Sequence, residues 1–544
     1  MSPRERILEP YTRRVNDLSH KLRKVLAVSA MLFLAVIVGF LVAVLPIEFV
    51  AIPLLPIVAL LFLVLWMAPD IDPALDRPVR ILFVTYFALA LTWPHYIAFV
   101  MPGVGFITPP RLTLLLLVPV SIYFFSTSSR ARSLVATGLN SSPLAKWAFI
   151  GFMIVQSSLT IVSATFSSFW IIHLINWYLL FLVSVLVFSY EGVVKPLQVA
   201  IASGMAVVGF TTYWEYLEQV KFWMDYVPLW LRGDPELWNK IYEVGSRAGT
   251  DRYRGSGILL TPVTVGEYVA LTAPFTVLML GRARSWWKIG LGILLVLVTG
   301  LAAHGSGART AFAGLIAGLS VYAVLWTVRR YLRSGRDRDL VGPAAIWAYP
   351  VLVALTIYSV LFVGRVRRLV LGGGEHQASN DGRAEQWDRA LRLVEKNPFG
   401  YGTNRAGTLI DFRAPGRETV TVDGYYMNLL VDYGVIGCLL FILFFLGCAW
   451  AAAKTYIRAE TPEEDTGAAF ASALIAFLVV KMVLSQGENH YLAFALAGGA
   501  LAIAARQDAR LKALARKTRS LFASEGPLLP RPFPPPGLAG LPRA

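Results

Sequence analysis

Apolar runs of near membrane-spanning length recur along almost the whole chain, separated by short stretches rich in Arg, Lys, Gly and Pro. As a helix rising 1.5 Å per residue, a run of about 20 residues crosses about 30 Å of hydrocarbon. The pattern predicts about fourteen spans, at 25–45, 49–67, 81–99, 111–126, 147–163, 168–189, 196–217, 262–281, 287–303, 309–327, 343–364, 425–453, 467–486 and 490–505. Pro53, Pro56, Pro94 and Pro350 fall inside three of these runs, and membrane helices tolerate proline where neighbours satisfy the freed backbone groups.

The fold class this implies is an all-α membrane protein, a polytopic helical bundle. The first run, Val25 to Leu45, follows a basic stretch and has no small-residue cleavage site, so it reads as an uncleaved span. With the N-terminus in the cytoplasm, most of the basic residues fall in inside segments, including Arg130–Arg132, Arg282–Lys288, Arg329–Arg338 and the tail from Arg506. An even span count returns the C-terminus to the same side. The division is a basic cytoplasmic N-terminus at 1–24, a membrane domain at 25–505 and a basic, Pro-rich cytoplasmic tail at 506–544. Residues 218–261 and 365–424 become two long outer loops. The arrangement predicts a multi-pass membrane protein with both termini in the cytoplasm.

Composition agrees: 56% of the 544 residues are hydrophobic and 15% charged, where a soluble chain carries about a quarter charged. The net charge of +16 would suggest nucleic acid, but the cations alternate with apolar spans instead of forming one basic face, so nucleic acid is excluded. Cys438 and Cys448 sit inside an apolar run and imply neither a disulfide nor a metal site. The two long loops hold no Asp-x-Asp pair of metal-binding type, and no metal or cofactor is expected.

Within the long loops, 218–261 carries Trp223, Tyr226, Trp230, Trp238 and Tyr242 and predicts short amphipathic helices at the headgroup layer. From Asp381 to Lys396 the apolar Trp387, Ala390, Leu391 and Val394 recur at helical spacing. Asn397-Pro398 should end that helix, with a turn at Gly400 and Gly402.

That turn opens the most informative stretch: Asn397-Pro398-Phe399-Gly400-Tyr401-Gly402, about twenty residues of linker, then Asp423-Gly424-Tyr425-Tyr426-Met427-Asn428-Leu429-Leu430-Val431-Asp432-Tyr433-Gly434-Val435-Ile436-Gly437. It resembles the signature of the O-antigen ligase and Wzy-type polysaccharide polymerase superfamily, in which a Pro-x-x-Gly-x-Gly turn precedes a His-Asn or Asp-Asn pair and a glycine-marked membrane helix. Arg254-Gly255-Ser256-Gly257 is similar to the family's Arg-x-x-Gly motif, and Ser306-Gly307-Ala308-Arg309 resembles its Ser-Arg motif. The resemblance covers about residues 250–450.

It implies a bacterial inner-membrane protein whose outer loops are periplasmic, a donor glycan on undecaprenyl pyrophosphate and an acceptor glycan-lipid, with a chain-length regulator and a flippase as further partners. Breaking the sugar–phosphate bond leaves a diphosphate whose growing charge needs cations. Guanidinium groups suit the task because they stay charged and bind phosphate through two N–H groups. Arg254 and Arg309 are the candidates for catalysis, and Arg383 and Arg405 for substrate binding; each could instead anchor the interface. Arg365, Arg367 and Arg368 read as a headgroup contact. Asp423 stands where family ligases have histidine, followed by Gly424 instead of Asn. It is the candidate base for the acceptor hydroxyl, or an N-cap of the following helix. Glu267, Tyr425 and Tyr426 complete the candidate substrate contacts. Lys481, Glu488, His490, His173 and Glu215 are costly polar groups in or beside spans, while His304 and His376 lie in outer connections.

The leading expectation is a metal-independent glycosyltransferase of Wzy type that polymerises surface polysaccharide repeat units at the periplasmic side. The first alternative is an O-antigen ligase transferring glycan to lipid A core, which the missing histidine at 423 disfavours. The second is a lipid-linked sugar transporter or flippase, disfavoured because no inverted repeat is visible.

Overall fold

The computed structural model describes residues 70–101, 105–163, 168–233, 253–337, 341–364, 377–413 and 422–524, together with single positions 29, 238, 241 and 420. The first two predicted spans, the arginine run at 365–368, His376, Tyr242 and the Pro-rich tail beyond Ser524 lie outside the described residues.

Every predicted span from the third onward coincides with a helix, and Ser129–Asn140, Gln377–Lys396 and Ala406–Ile410 are helical besides. In chain order these are α1 (Asp76–Thr92), α2 (Pro109–Thr127), α3 (Ser129–Asn140), α4 (Pro143–Val162), α5 (Ser168–His173), a π-helical segment (Leu174–Leu179), α6 (Leu180–Phe188), α7 (Val194–Glu218), α8 (Pro262–Arg282), α9 (Trp286–Ser306), α10 (Arg309–Asp337), α11 (Val341–Phe362), α12 (Gln377–Lys396), α13 (Ala406–Ile410), α14 (Tyr425–Ile457), α15 (Gly467–Lys481) and α16 (His490–Ser524). Among the described residues, seven helices are long and apolar enough to cross a membrane. The chain is a multi-pass, all-α membrane protein.

Local sequence chemistry sets the helix starts. Thr108, Ser142 and Thr261 each accept a backbone N–H with the side-chain oxygen, ahead of Pro109, Pro143 and Pro262. A hydroxyl cap followed by proline satisfies or removes the first orphan N–H groups. The third predicted span stops early, at Thr92 instead of residue 99, because Pro94 pushes Trp93 into an extended conformation (φ −96°, ψ 130°). Past it, Phe99–Met101 (β1) pairs antiparallel with Gly105–Ile107 (β2), a small hairpin that the apolar pattern did not predict. Residues 219–233 form turns and one short 3-10 turn where amphipathic helices were expected. There Met224, Val227 and Trp238 cluster with Tyr96. The last helix extends past residue 505 into the basic tail.

The core is layered by exposure. About 78% of the apolar window of α8 is buried, against 17% in α10, so α8 is central and α10 turns much of its apolar surface outward. Small residues let the central helices pack closely. In α15, Ala468, Ala469, Ala471, Ala473 and Ala476 are all buried against α10 and α14.

Candidate functional site

Three loops meet at one end of the bundle, starting with the Pro-x-x-Gly-x-Gly turn. α12 ends at Lys396, where the Asn397 N–H still donates to Leu393 O at 2.9 Å. The Asn397 amide then donates to Gly400 O at 2.7 Å and accepts from Phe399 N–H. Gly400 and Gly402 both adopt φ near +100°, which side chains rarely tolerate. So folded, the turn lies on a break in α14. Gly434 has φ 69° and ψ −175° inside that helix, freeing carbonyls that the turn takes up. Tyr401 N–H donates to Val431 O and Gly402 N–H to Asp432 O, both at 2.9 Å, and Val435 N–H donates back to Pro398 O at 3.0 Å. The Asp432 carboxylate accepts three backbone N–H groups, from Asn404 (3.0 Å), Arg405 (2.9 Å) and Ala406 (2.7 Å), and so caps α13. The motif is a backbone lock between the long loop and the start of α14.

The second loop brings the two arginine motifs together. Arg254 Nε donates to Ser306 O at 3.0 Å, and Gly255 N–H donates to Gly305 O at 2.9 Å. Arg309 follows at the first residue of α10, half-buried. Glu215 holds this loop from α7. Its carboxylate accepts Ser256 N–H (3.0 Å), Gly257 N–H (2.6 Å) and the Tyr253 hydroxyl (3.0 Å). Lys221 donates to Ser256 Oγ at 2.6 Å and lies 3.8 Å from Glu215. Burial pushes the Lys221 ammonium below its ordinary value, with Glu215 opposing. Glu215 therefore positions the Arg254 loop. His304 is exposed, its ring edge-on to Tyr216.

The third is the 482–489 connection between α15 and α16, which joins the other two. Glu488 accepts Leu260 N–H at 3.3 Å, and Gln486 accepts the Thr261 and Thr264 hydroxyls. Lys481 pairs with Glu267 at 2.6 Å, both fully buried, and the Asn489 amide donates to Glu267 at 3.2 Å. Glu267 thus sits in an internal ion pair. The Lys481 ammonium also faces the Tyr425 ring at 5.2 Å. Burial pushes the Glu488 carboxyl up to about 7.

Asp423 lies just before α14, partly exposed, with Arg383 of α12 at 3.9 Å and its N–H on Gln386 Oε1 at 2.7 Å. The cap position falls instead on Gly424, which offers no side chain, so the N-cap reading of Asp423 does not hold. Arg405 begins α13 with an exposed side chain. Tyr425 is buried and lines a cavity. Tyr426 points elsewhere: its hydroxyl donates to Leu478 O at 2.7 Å and fixes α14 to α15.

That cavity, about 350 Å³, is walled by the π segment, the first two turns of α14 and the start of α16. His173, stacked on Trp177 at 3.7 Å, lies 2.8 Å from Gln156. Gln156 in turn donates to the Tyr433 hydroxyl at 2.6 Å. Sequence reasoning missed Asp432, Asn428, Asn176 and Gln156. A signal was present: Tyr425, Asn428, Leu429 and Asp432, like His173, Asn176 and Trp177, follow the three-and-four spacing of one helix face. A π segment inside a helix is a further mark of function.

Residues 294–442 match the family model described as O-antigen ligase. The matched stretch runs from α9 through the lock to the first half of α14, so it contains Arg309, Arg383, Arg405, Asp423 and Tyr425. This agrees with the superfamily resemblance drawn from the motifs, whose members act as ligases or polymerases of glycosyltransferase type. Arg254, Glu488 and His490 lie outside it. No curated protein matches the chain.

Proposed function

We infer that the chain is a Wzy-type polymerase, which transfers a growing glycan from undecaprenyl pyrophosphate to the next lipid-linked repeat unit at the periplasmic face of the inner membrane. The observation that carries this reading is the meeting of Arg254 with the Ser306–Arg309 turn, tied through the 482–489 connection to the start of α14, where Asp423 and Arg383 lie. Two guanidinium groups on rigid backbone suit the diphosphate leaving group, since donors fixed where charge develops can lower a barrier by several kcal/mol, roughly 3–4 for a single well-placed one.

In this scheme the acceptor hydroxyl attacks the anomeric carbon while its proton passes to the Asp423 carboxylate. The bond from that carbon to the phosphate oxygen breaks, and undecaprenyl pyrophosphate departs with the electron pair against Arg254 and Arg309. Arg383 and Arg405 steer the anionic donor toward them from the long loop. Inversion at the anomeric carbon follows from a single displacement. Ligation to a lipid A core is the second reading. It shares fold, donor and side of the membrane, and Asp423 in place of a ligase histidine favours polymerisation.

The test is reconstitution of the purified protein with lipid-linked repeat units, followed by sizing of the product. Wild-type protein should build a ladder of chains, and Arg309→Ala should give none while staying in the membrane at normal level. A ladder of normal length from Arg309→Ala would remove that residue from the site. Chains moved whole onto lipid A core, with no lengthening, would establish the ligase reading.

A further inference from the structure

The cavity between the π segment, α14 and α16 has polar walls that the protein leaves unmatched. Both ring nitrogens of His490 and the side-chain oxygens of Asn428 and Asn176 are buried without a hydrogen-bond partner. His490 is only 1% exposed and is held edge-on by the rings of Tyr425 and Trp177, at 4.6 and 5.0 Å. A buried polar group without a partner is costly, and all of these groups line the same space.

Their chemistry selects the occupant. Amide oxygens only accept, and a neutral imidazole offers one donor and one acceptor, so the ligand must donate hydrogen bonds. Diphosphate oxygens donate none at neutral pH, and among the described residues no Lys or Arg lines the cavity. The carboxyls in the wall are already engaged, Asp432 by three backbone N–H groups and Glu488 by Leu260. The volume, about 350 Å³, falls at the small end of ligand cavities, roughly 300–1,000 Å³. A neutral ring bearing several hydroxyls fits each of these conditions.

We propose that this cavity is a sugar subsite, in which His490, Asn428 and Asn176 bind the hydroxyls of one neutral sugar ring of the glycan. Recognition of the sugar and neutralisation of the diphosphate are then divided between two neighbouring sites. The assignment of that ring to a glycan substrate rests on the glycosyl-transfer reading; the preference for a neutral polyol rests on the cavity alone.

The experiment is saturation-transfer NMR on the purified full-length protein in nanodiscs. The probes are free hexoses, N-acetylhexosamines and deoxyhexoses, with inorganic pyrophosphate followed by phosphorus line broadening. At least one sugar should bind saturably. Asn428→Leu and His490→Gln should each weaken it tenfold or more, and Arg254→Ala should leave it unchanged. Pyrophosphate broadening should show the reverse pattern. Melting curves check that each variant is folded, and His490→Gln serves where Asn428→Leu is not. No binding across the sugar panel, or binding that neither cavity variant weakens, overturns the subsite. Sugar binding with the expected pattern, but no glycosidic bond formed from lipid-linked substrates, leaves the subsite standing and removes the transferase.

Discussion

Replacing Gly434 with alanine tests whether the family motif works as a backbone lock. Gly434 sits at φ 69° and ψ −175°, a region essentially reserved for glycine, which costs other residues about 1–3 kcal/mol. A Cβ there would also lie 2.2 Å from Pro398 O and 2.5 Å from Phe399 C. Both atoms are backbone, so no side-chain rotation relieves the overlap and the turn must withdraw. Withdrawal breaks the 3.0 Å bond from Val435 N–H to Pro398 O, and a lost hydrogen bond at this half-exposed place adds about 0.5–1.5 kcal/mol. The two terms together give about 1.5–4.5 kcal/mol. Hydrogen exchange in detergent or nanodiscs reads this directly. Protection of the Tyr401, Gly402 and Val435 amides should fall by about tenfold or more, since 1.4 kcal/mol is a factor of ten. Gly407→Ala is the control: nothing lies within 4 Å of its Cβ position, and inside helix α13 alanine should be neutral or stabilising by up to about 1 kcal/mol. Wild-type protection at Tyr401 and Gly402 in the Gly434→Ala protein would refute the lock.

Other consequences follow from the same geometry. Lys481→Met strands the Glu267 carboxylate in a fully buried place and should destabilise the protein by about 3–5 kcal/mol; adding Glu267→Leu should recover most of the loss in melting temperature, and no recovery would mean that the pair is not coupled. Glu488 has an ordinary value of 4.5 and is pushed up to about 7 when folded, so the unfolded chain gives up its proton first as pH rises. Stability should be highest below about 4.5 and decline toward about 7, a slope that Glu488→Gln should flatten in melts taken across that range. Asp423→Asn should cut turnover by about 10²–10⁴-fold, the usual range for a lost general base, with the fold unchanged; near-normal turnover would end the base assignment, leaving Arg383 without a catalytic reason to lie beside it.

Much of the architecture was legible in the chain because a membrane leaves few choices. A backbone in hydrocarbon must satisfy its own hydrogen bonds, so apolar runs of sufficient length become helices, and Ser, Thr and Pro mark where several of them begin. Pro94 is visible too, yet the apolar run continues to residue 99 while proline ends the helix at Thr92, because hydropathy does not register a lost backbone conformation. The aromatic spacing over 219–233 looks helical, but the chain there turns so that Trp223, Met224 and Val227 pack with Tyr96 while Tyr226 and Trp230 stay exposed.

The candidate site divides in the same way. The sequence by itself determined that an O-antigen ligase motif exists, which glycines mark its turn, and that arginines in three places could meet an anionic substrate. Only the tertiary structure decided what those residues touch. Asp432 looked like one more member of the motif until its carboxylate was seen to gather three N–H groups from a loop more than twenty residues earlier. Glu267 was a candidate for substrate until Lys481, on another helix, neutralised it. Linear spacing reports which face of a helix a residue occupies. The partner across that face comes from a distant part of the chain, and its identity is fixed by packing alone.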